Sequence, residues 1–300
     1  MQRLYFFKMT SINYPFTVKR QQIVDGIDIA FCDEGKGEQT FLFIHGLANY
    51  FPSWKHQIVS LKDQYRCVAI DLPGNGLSSS GDFPFSIFFY AECVAKFIEK
   101  LELKNVVLCG HSMGGQIAIV IALRYPHLLE KLILISPAGF EYYNSNEVFM
   151  LQQGLAIGDF FYSDAMHVET AIRQSFFKQN VEESQLIADL KKIMDKHSKK
   201  NWKEMVTGSI KGMLNEQVSS FIRNITCPTL IIFGDKDQLI PNRMLHYGDT
   251  PESIAKYGAS MIENAKLKLI NNAGHFVHIE KSEEVNCEIR EFMSKLSNEE

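Results

Sequence analysis

A serine set between glycines, in Gly110-His111-Ser112-Met113-Gly114, is the residue of this chain whose surroundings most suggest covalent chemistry. A hydroxyl is a weak nucleophile until a base takes its proton, and a histidine titrating near neutrality can take that proton and later return it to a leaving group. The base needs a carboxylate on its far ring nitrogen, which holds one tautomer and stabilises the imidazolium as it forms. Late in the chain two acids, Asp235 and Asp237, follow Gly234, and two histidines, His275 and His278, follow Gly274. A tetrahedral oxyanion further requires backbone N–H donors set in place before reaction. The residue types for nucleophilic acyl transfer are all present, and they act only if the fold brings them together.

Six short apolar runs supply the frame. Phe41 to Ile44 ends at His45-Gly46, Cys67 to Ile70 at Asp71-Leu72-Pro73-Gly74, and Val106 to Cys109 at Gly110. Leu132 to Ile135 ends at Ser136-Pro137, Leu230 to Phe233 at Gly234, and Leu267 to Ile270 at Asn271-Asn272. Each run is too short for a helix and is bounded by turn residues, the pattern of buried parallel strands. Between them Tyr90 to Leu101 places Val94, Phe97, Ile98 and Leu101 on one helical face, and Gln116 to Leu123 is densely apolar. The alternation predicts an α/β fold whose parallel sheet is covered on both faces. Ser112 then lies between a strand and a helix, on a sharp turn that requires small neighbours such as Gly110 and Gly114.

The alternation lapses between Phe140 and Leu214, where no strand pattern appears and Leu186 to Met194 reads as helix. The expected organisation is a core from residues 1–139 and 215–300, with 140–214 inserted as a helical lid. Ligands of open parallel sheets bind at the carboxyl edge, which such an insertion would roof. The aromatic and apolar residues Phe149, Met150, Phe160, Phe161, Tyr162, Phe176 and Phe177 are expected mostly to form the insertion's own core. Phe83, Phe85, Phe88 and Phe89 are expected as helix-to-sheet packing.

At this point the chain resembles the α/β-hydrolase superfamily. His45-Gly46-Leu47 is similar to the family's oxyanion loop, and Asp71-Leu72-Pro73-Gly74-Asn75-Gly76-Leu77-Ser78 to its Asp-x-Pro-Gly-x-Gly-x-Ser turn. Gly234-Asp235-Lys236-Asp237-Gln238-Leu239-Ile240-Pro241 resembles the acid loop and Asn272-Ala273-Gly274-His275-Phe276 the histidine loop, in the family's chain order. The resemblance runs from Thr40 to about Leu296, the insertion excepted. It implies Ser112 as nucleophile, His275 as base and Asp237 as its acid, with the backbone N–H groups of Leu47 and Met113 as oxyanion donors. Asp235 is left to loop hydrogen bonding and His278 to a cap or surface position. His45 and His111, which flank the site with Gly46, and also Asp71 are expected to order loops.

Composition narrows the class. With 46% hydrophobic and 22% charged residues, disorder and coiled coil fit poorly. A chain of 300 residues buries about three quarters of its unfolded surface, so no disulfide staples are needed. Six cysteines (Cys32, Cys67, Cys93, Cys109, Cys227 and Cys287) show no regular spacing, which favours a reducing compartment and a cytoplasmic location. The net charge of −4, without a basic tract, excludes a phosphate-backbone partner, and no apolar stretch reaches the length of a membrane span. Histidines and cysteines lack metal-ligand spacing, and Pro73-Gly74-Asn75-Gly76 lacks the Gly-Lys-Ser of a phosphate cradle, so neither metal nor nucleotide cofactor is expected.

The family also contains haloalkane dehalogenases and epoxide hydrolases, which place an aspartate where Ser112 stands. Its carbon–carbon hydrolases of ring-fission products use serine, with a tryptophan after the histidine and an arginine late in the lid. Here Phe276 follows, and Leu186 to Met205 contains no arginine, although Arg173 lies earlier. The expectation is therefore a cofactor-free serine hydrolase acting on a small-molecule ester with a moderately apolar acyl group. The alternatives are the carbon–carbon hydrolase and a small-molecule receptor that keeps the triad. Oligomeric state is not encoded in any of these patterns.

Overall fold

A computed structural model describes residues 12–157 and 165–296. All six apolar runs are strands: β3 (Thr40–Ile44), β4 (Arg66–Ile70), β5 (Val106–His111), β6 (Leu129–Ile135), β7 (Thr229–Gly234) and β8 (Ala265–Ile270). Two more precede them, β1 (Lys19–Val24) and β2 (Ile27–Glu34), an antiparallel hairpin not anticipated above. Its signal was the Asp25-Gly26 pair, a two-residue loop of the kind that closes hairpins, with Gly26 at φ +80°. The eight-stranded sheet runs β1-β2-β4-β3-β5-β6-β7-β8, parallel from β4 to β8 and antiparallel at β1 and β2.

Period-two alternation splits each central strand between two cores. Leu42, Ile44, Val68, Ile70, Leu108, Leu132, Leu134, Ile231 and Phe233 face α2 (Ile87–Lys100), α3 (Met113–Arg124) and α8 (Pro251–Met261). Phe41, Phe43, Cys67, Ala69, Val107, Cys109, Ile133 and Ile135 face α1 (Lys55–Leu61), the short α9 (Val277–Glu280) and α10 (Ser282–Leu296). The last strand departs from expectation: Leu267 and Leu269 are only half-buried. As the edge strand, β8 turns Lys266 and Lys268 outward onto Glu288, charges that also discourage pairing with another chain.

Between β6 and β7 the chain leaves the sheet for α4 (Ser145–Ile157), α5 (Ala165–Ser175), α6 (Val181–Lys196) and α7 (Lys199–Asn215), with no strand among the described residues of this stretch. We call it the cap. Gln217 closes its base, exchanging hydrogen bonds with both the N–H (2.7 Å) and the C=O (2.8 Å) of Tyr143. Tyr90 on α2 meets Ser209 on α7 at 2.9 Å, and Phe85, buried, packs against Gly208. Phe88 is instead exposed, under the Arg124 guanidinium. Phe149 and Met150 are also exposed, contrary to the expectation of an internal cap core; Phe176 is buried. Phe160, Phe161 and Tyr162 lie outside the described residues. All six cysteines are free, four of them buried. Among the described residues no helix is long and apolar enough to cross a membrane.

Candidate active site

Strand order explains where the chemistry-bearing residues gather. The chain steps from β3 outward to β4 and then returns past β3 to β5, so the topological switch lies between β3 and β5, where Ile44 is paired with Gly110. The loops leaving those two carboxyl ends hold His45-Gly46-Leu47 and Ser112. Loops after β7 and β8, at the same edge, hold Asp237 and His275.

Ser112 stands between β5 and α3, at the N-cap of the helix, with φ 54° and ψ −119°. Such a backbone costs about 1–3 kcal/mol and persists only where its surroundings enforce it. The enforcement is visible: the Ser112 N–H donates to Ile135 C=O at 3.1 Å, and its own C=O accepts from Gly115 (2.9 Å) and Ala138 (3.0 Å). Close approach explains the glycines. A Cβ on Gly110 would lie 2.3 Å from the Gly114 carbonyl oxygen, and one on Gly114 2.5 Å from that of Ile44. Met113 is the first residue of α3, so its N–H has no intrahelical acceptor and points with the positive end of the helix dipole.

His45 is fully buried and tied at both ring nitrogens. Leu72 N–H donates to Nε2 at 3.0 Å, so Nδ1 carries the proton and donates to Gly46 C=O at 2.7 Å. Burial pushes its pKa down to about 4, keeping it neutral. Because a peptide is planar, fixing the Gly46 carbonyl also fixes the direction of the Leu47 N–H. A Cβ on Gly46 would stand 3.1 Å from Ser112 Cβ, which shows how closely this loop passes the turn at Ser112.

Asp237 and His275 form a buried pair, with His275 Nδ1 and Asp237 Oδ2 at 2.8 Å. The other carboxylate oxygen accepts from the Leu239 (2.8 Å) and Ile240 (3.0 Å) N–H groups. A carboxylate accepts only, so Nδ1 bears a proton, and in the neutral ring that tautomer leaves the lone pair on Nε2. Asp235 pairs with Lys236 at 2.9 Å and does not meet His275. Asp71 is also separate, its buried carboxylate taken up by Tyr14 Oη (2.7 Å), Phe51 N–H (2.7 Å) and Leu77 N–H (2.8 Å). Arg173 of the cap is paired with Glu169 (2.8 Å) and Glu183 (2.6 Å). Among the described residues, no cluster of His, Cys, Asp and Glu is arranged to hold a metal ion.

His278 corrects the sequence reading, which placed it at a cap or on the surface. It is fully buried on α9, its ring 4.6 Å from Trp54 and 4.4 Å from His111. His111 in turn donates from Nε2 to the His275 carbonyl at 3.0 Å. Burial, with His275 and His56 nearby, lowers the His278 pKa to about 3. An unfolded histidine titrates at about 6.5, so between these values the unfolded chain binds a proton that the native fold refuses. Stability present above pH 6.5 is therefore lost as pH falls toward 3. His278→Phe is expected to flatten the pH dependence of unfolding free energy between pH 6 and 4 by up to about 1.4 kcal/mol per pH unit. Urea unfolding of both proteins across that range checks it, and parallel curves would refute it.

A family model described as the alpha/beta hydrolase fold matches residues 39–282. The uncharacterized hydrolase YugF of Bacillus subtilis (strain 168) is 26% identical over 296 residues, covering 91% of this chain and 97% of that protein. The monoacylglycerol lipase ABHD6 of Homo sapiens is 26% identical over 290 residues, covering 90% and 81%. Among solved structures, the esterase EaEST from Exiguobacterium antarcticum superposes with a TM-score of 0.76 at 22% identity, covering 93% of this chain and all of that one.

Proposed function

The chain belongs to the alpha/beta hydrolase fold family, and within it we propose a serine hydrolase that cleaves carboxylic esters of moderately apolar acids through an acyl-enzyme. The observation that supports this most is the buried His275–Asp237 pair, with Nε2 free to accept, at the same sheet edge as the strained Ser112. Ser112 Oγ attacks the ester carbonyl carbon while its proton passes to His275 Nε2. The carbonyl π pair moves onto oxygen, where the N–H groups of Leu47 and Met113 receive it. Collapse breaks the carbon–oxygen bond, and the leaving alkoxide takes the proton from Nε2 and departs as an alcohol. Water, deprotonated by the same nitrogen, then attacks the acyl carbon and releases the acid and Ser112.

The ester preference draws on two further points. Phe176 of the cap stacks on Phe276 at 4.8 Å, immediately beside His275, which puts apolar surface against the reacting centre. One of the relatives is a lipase by name, and its substrate class is an ester. The carbon–carbon hydrolase reading has no comparable support, because the guanidinium of Arg173 is already shared by two carboxylates. A graded series of p-nitrophenyl esters from acetate to long acyl chains tests the proposal. The expected result is a maximum of kcat/KM above acetate, lost in Ser112→Ala; absence of turnover across the series would overturn it.

A further inference from the structure

The cap holds the histidine loop as well as covering the sheet edge. The His275 N–H donates to the cap's Ser175 carbonyl at 2.8 Å. One residue earlier, Gly274 N–H donates to Glu280 Oε1 at 2.9 Å, and the second oxygen of that carboxylate accepts the cap's Phe177 N–H at 2.8 Å. Contact is close enough to exclude a side chain, since a Cβ on Gly274 would fall 2.5 Å from Ser175 O and 2.7 Å from Phe177 N. On its other side His275 offers its carbonyl to His111 Nε2. The main chain of His275 is thus held between the cap and the residue preceding Ser112.

From this juxtaposition we propose that Glu280 is a positioning residue for His275, a two-pronged clamp that ties the cap segment Ser175–Phe177 to the histidine loop and sets the height of the imidazole over Ser112. The inference rests on the reading of His275 as base. Two N–H donors from different parts of the chain converge on one carboxylate, and only a group with two acceptor oxygens satisfies both. Glutamine cannot replace it, because its NH2 would meet one of the two N–H groups donor to donor. Aspartate is one methylene too short to span them. Cap displacement and base displacement are therefore one event, and the cap cannot lift at this end without moving His275.

Glu280→Gln, assayed on the best ester, is expected to lower kcat about 10- to 100-fold with KM within threefold, because a small misplacement of a reacting group costs rate more than binding. Amide hydrogen exchange at Phe177 and Gly274 is expected to rise together in this variant. Glu280→Asp is expected to behave like the glutamine variant, whereas a residue serving stability alone would lower the melting temperature and leave kcat unchanged. Wild-type kcat with unchanged exchange overturns the clamp. Should the variants not fold, the wild type decides: exchange of Phe177 and Gly274 with a shared opening free energy supports the clamp, and independent opening overturns it. If Ser112→Ala still turns over, the hydrolase reading fails on its own, and the exchange result still judges the clamp.

Discussion

Ser112→Ala and His275→Ala are each expected to lower kcat by about 10⁴- to 10⁶-fold, and the double variant is expected to be no slower than the worse single one. The reason is that the two side chains perform one act. Without Nε2 the hydroxyl keeps its proton, and without Oγ the imidazole has nothing to activate. What survives in either case is the stabilisation from the Leu47 and Met113 N–H groups, which neither substitution touches. The measurement is kcat for both singles and the double on the preferred ester, with urea midpoints showing that the fold is retained. Losses that multiply would mean that the residues act in separate steps, contrary to this mechanism.

Asp237→Asn is expected to lower kcat by about 10⁴-fold, against less than threefold for Asp235→Asn. The hydrogen bonds around the carboxylate give the reason. Leu239 and Ile240 point two N–H groups at Oδ1, so an asparagine must place its amide oxygen there. Its NH2 then faces His275 Nδ1, which has to become the acceptor. The ring proton shifts to Nε2, and the base arrives at Ser112 already protonated. Asp235, paired with Lys236, touches none of this. Equal losses for the two variants would mean that the acid has been assigned to the wrong residue of the loop.

How far these conclusions were readable from the chain depends on how local their causes are. The six central strands announced themselves because a strand buried on both faces is a short apolar run, and runs such as Val106 to Cys109 are cut by turn residues at the carboxyl edge. Strand β1 did not, because Lys19-Arg20-Gln21-Gln22 lies at an exposed sheet edge and carries no apolar run, whereas β2 does hold the buried run Ile29-Ala30-Phe31-Cys32 and was missed with its partner. The sharp turn at Ser112 was legible because both its glycines lie within two residues of the serine, although only Gly110 is required by a local approach, to the Gly114 carbonyl, whereas Gly114 is required by the distant Ile44 and His45 carbonyls. His278 was not, since Trp54 and His111, which bury it, come from distant parts of the chain. The same holds for Glu280, whose two partners lie 103 and 6 residues away, with the longer reach running into a cap of no recognisable pattern. Phe149 and Met150 show the converse limit, because apolar composition does not say which face of a cap helix meets solvent.

The central claim is that Ser112 is a nucleophile activated by His275, and covalent labelling tests it most directly. Incubation with a fluorophosphonate followed by peptide mapping by mass spectrometry is expected to place one adduct per chain on Ser112, with labelling slowed by orders of magnitude in His275→Ala. An unmodified Ser112, or an adduct on another residue that survives in Ser112→Ala, would contradict the account.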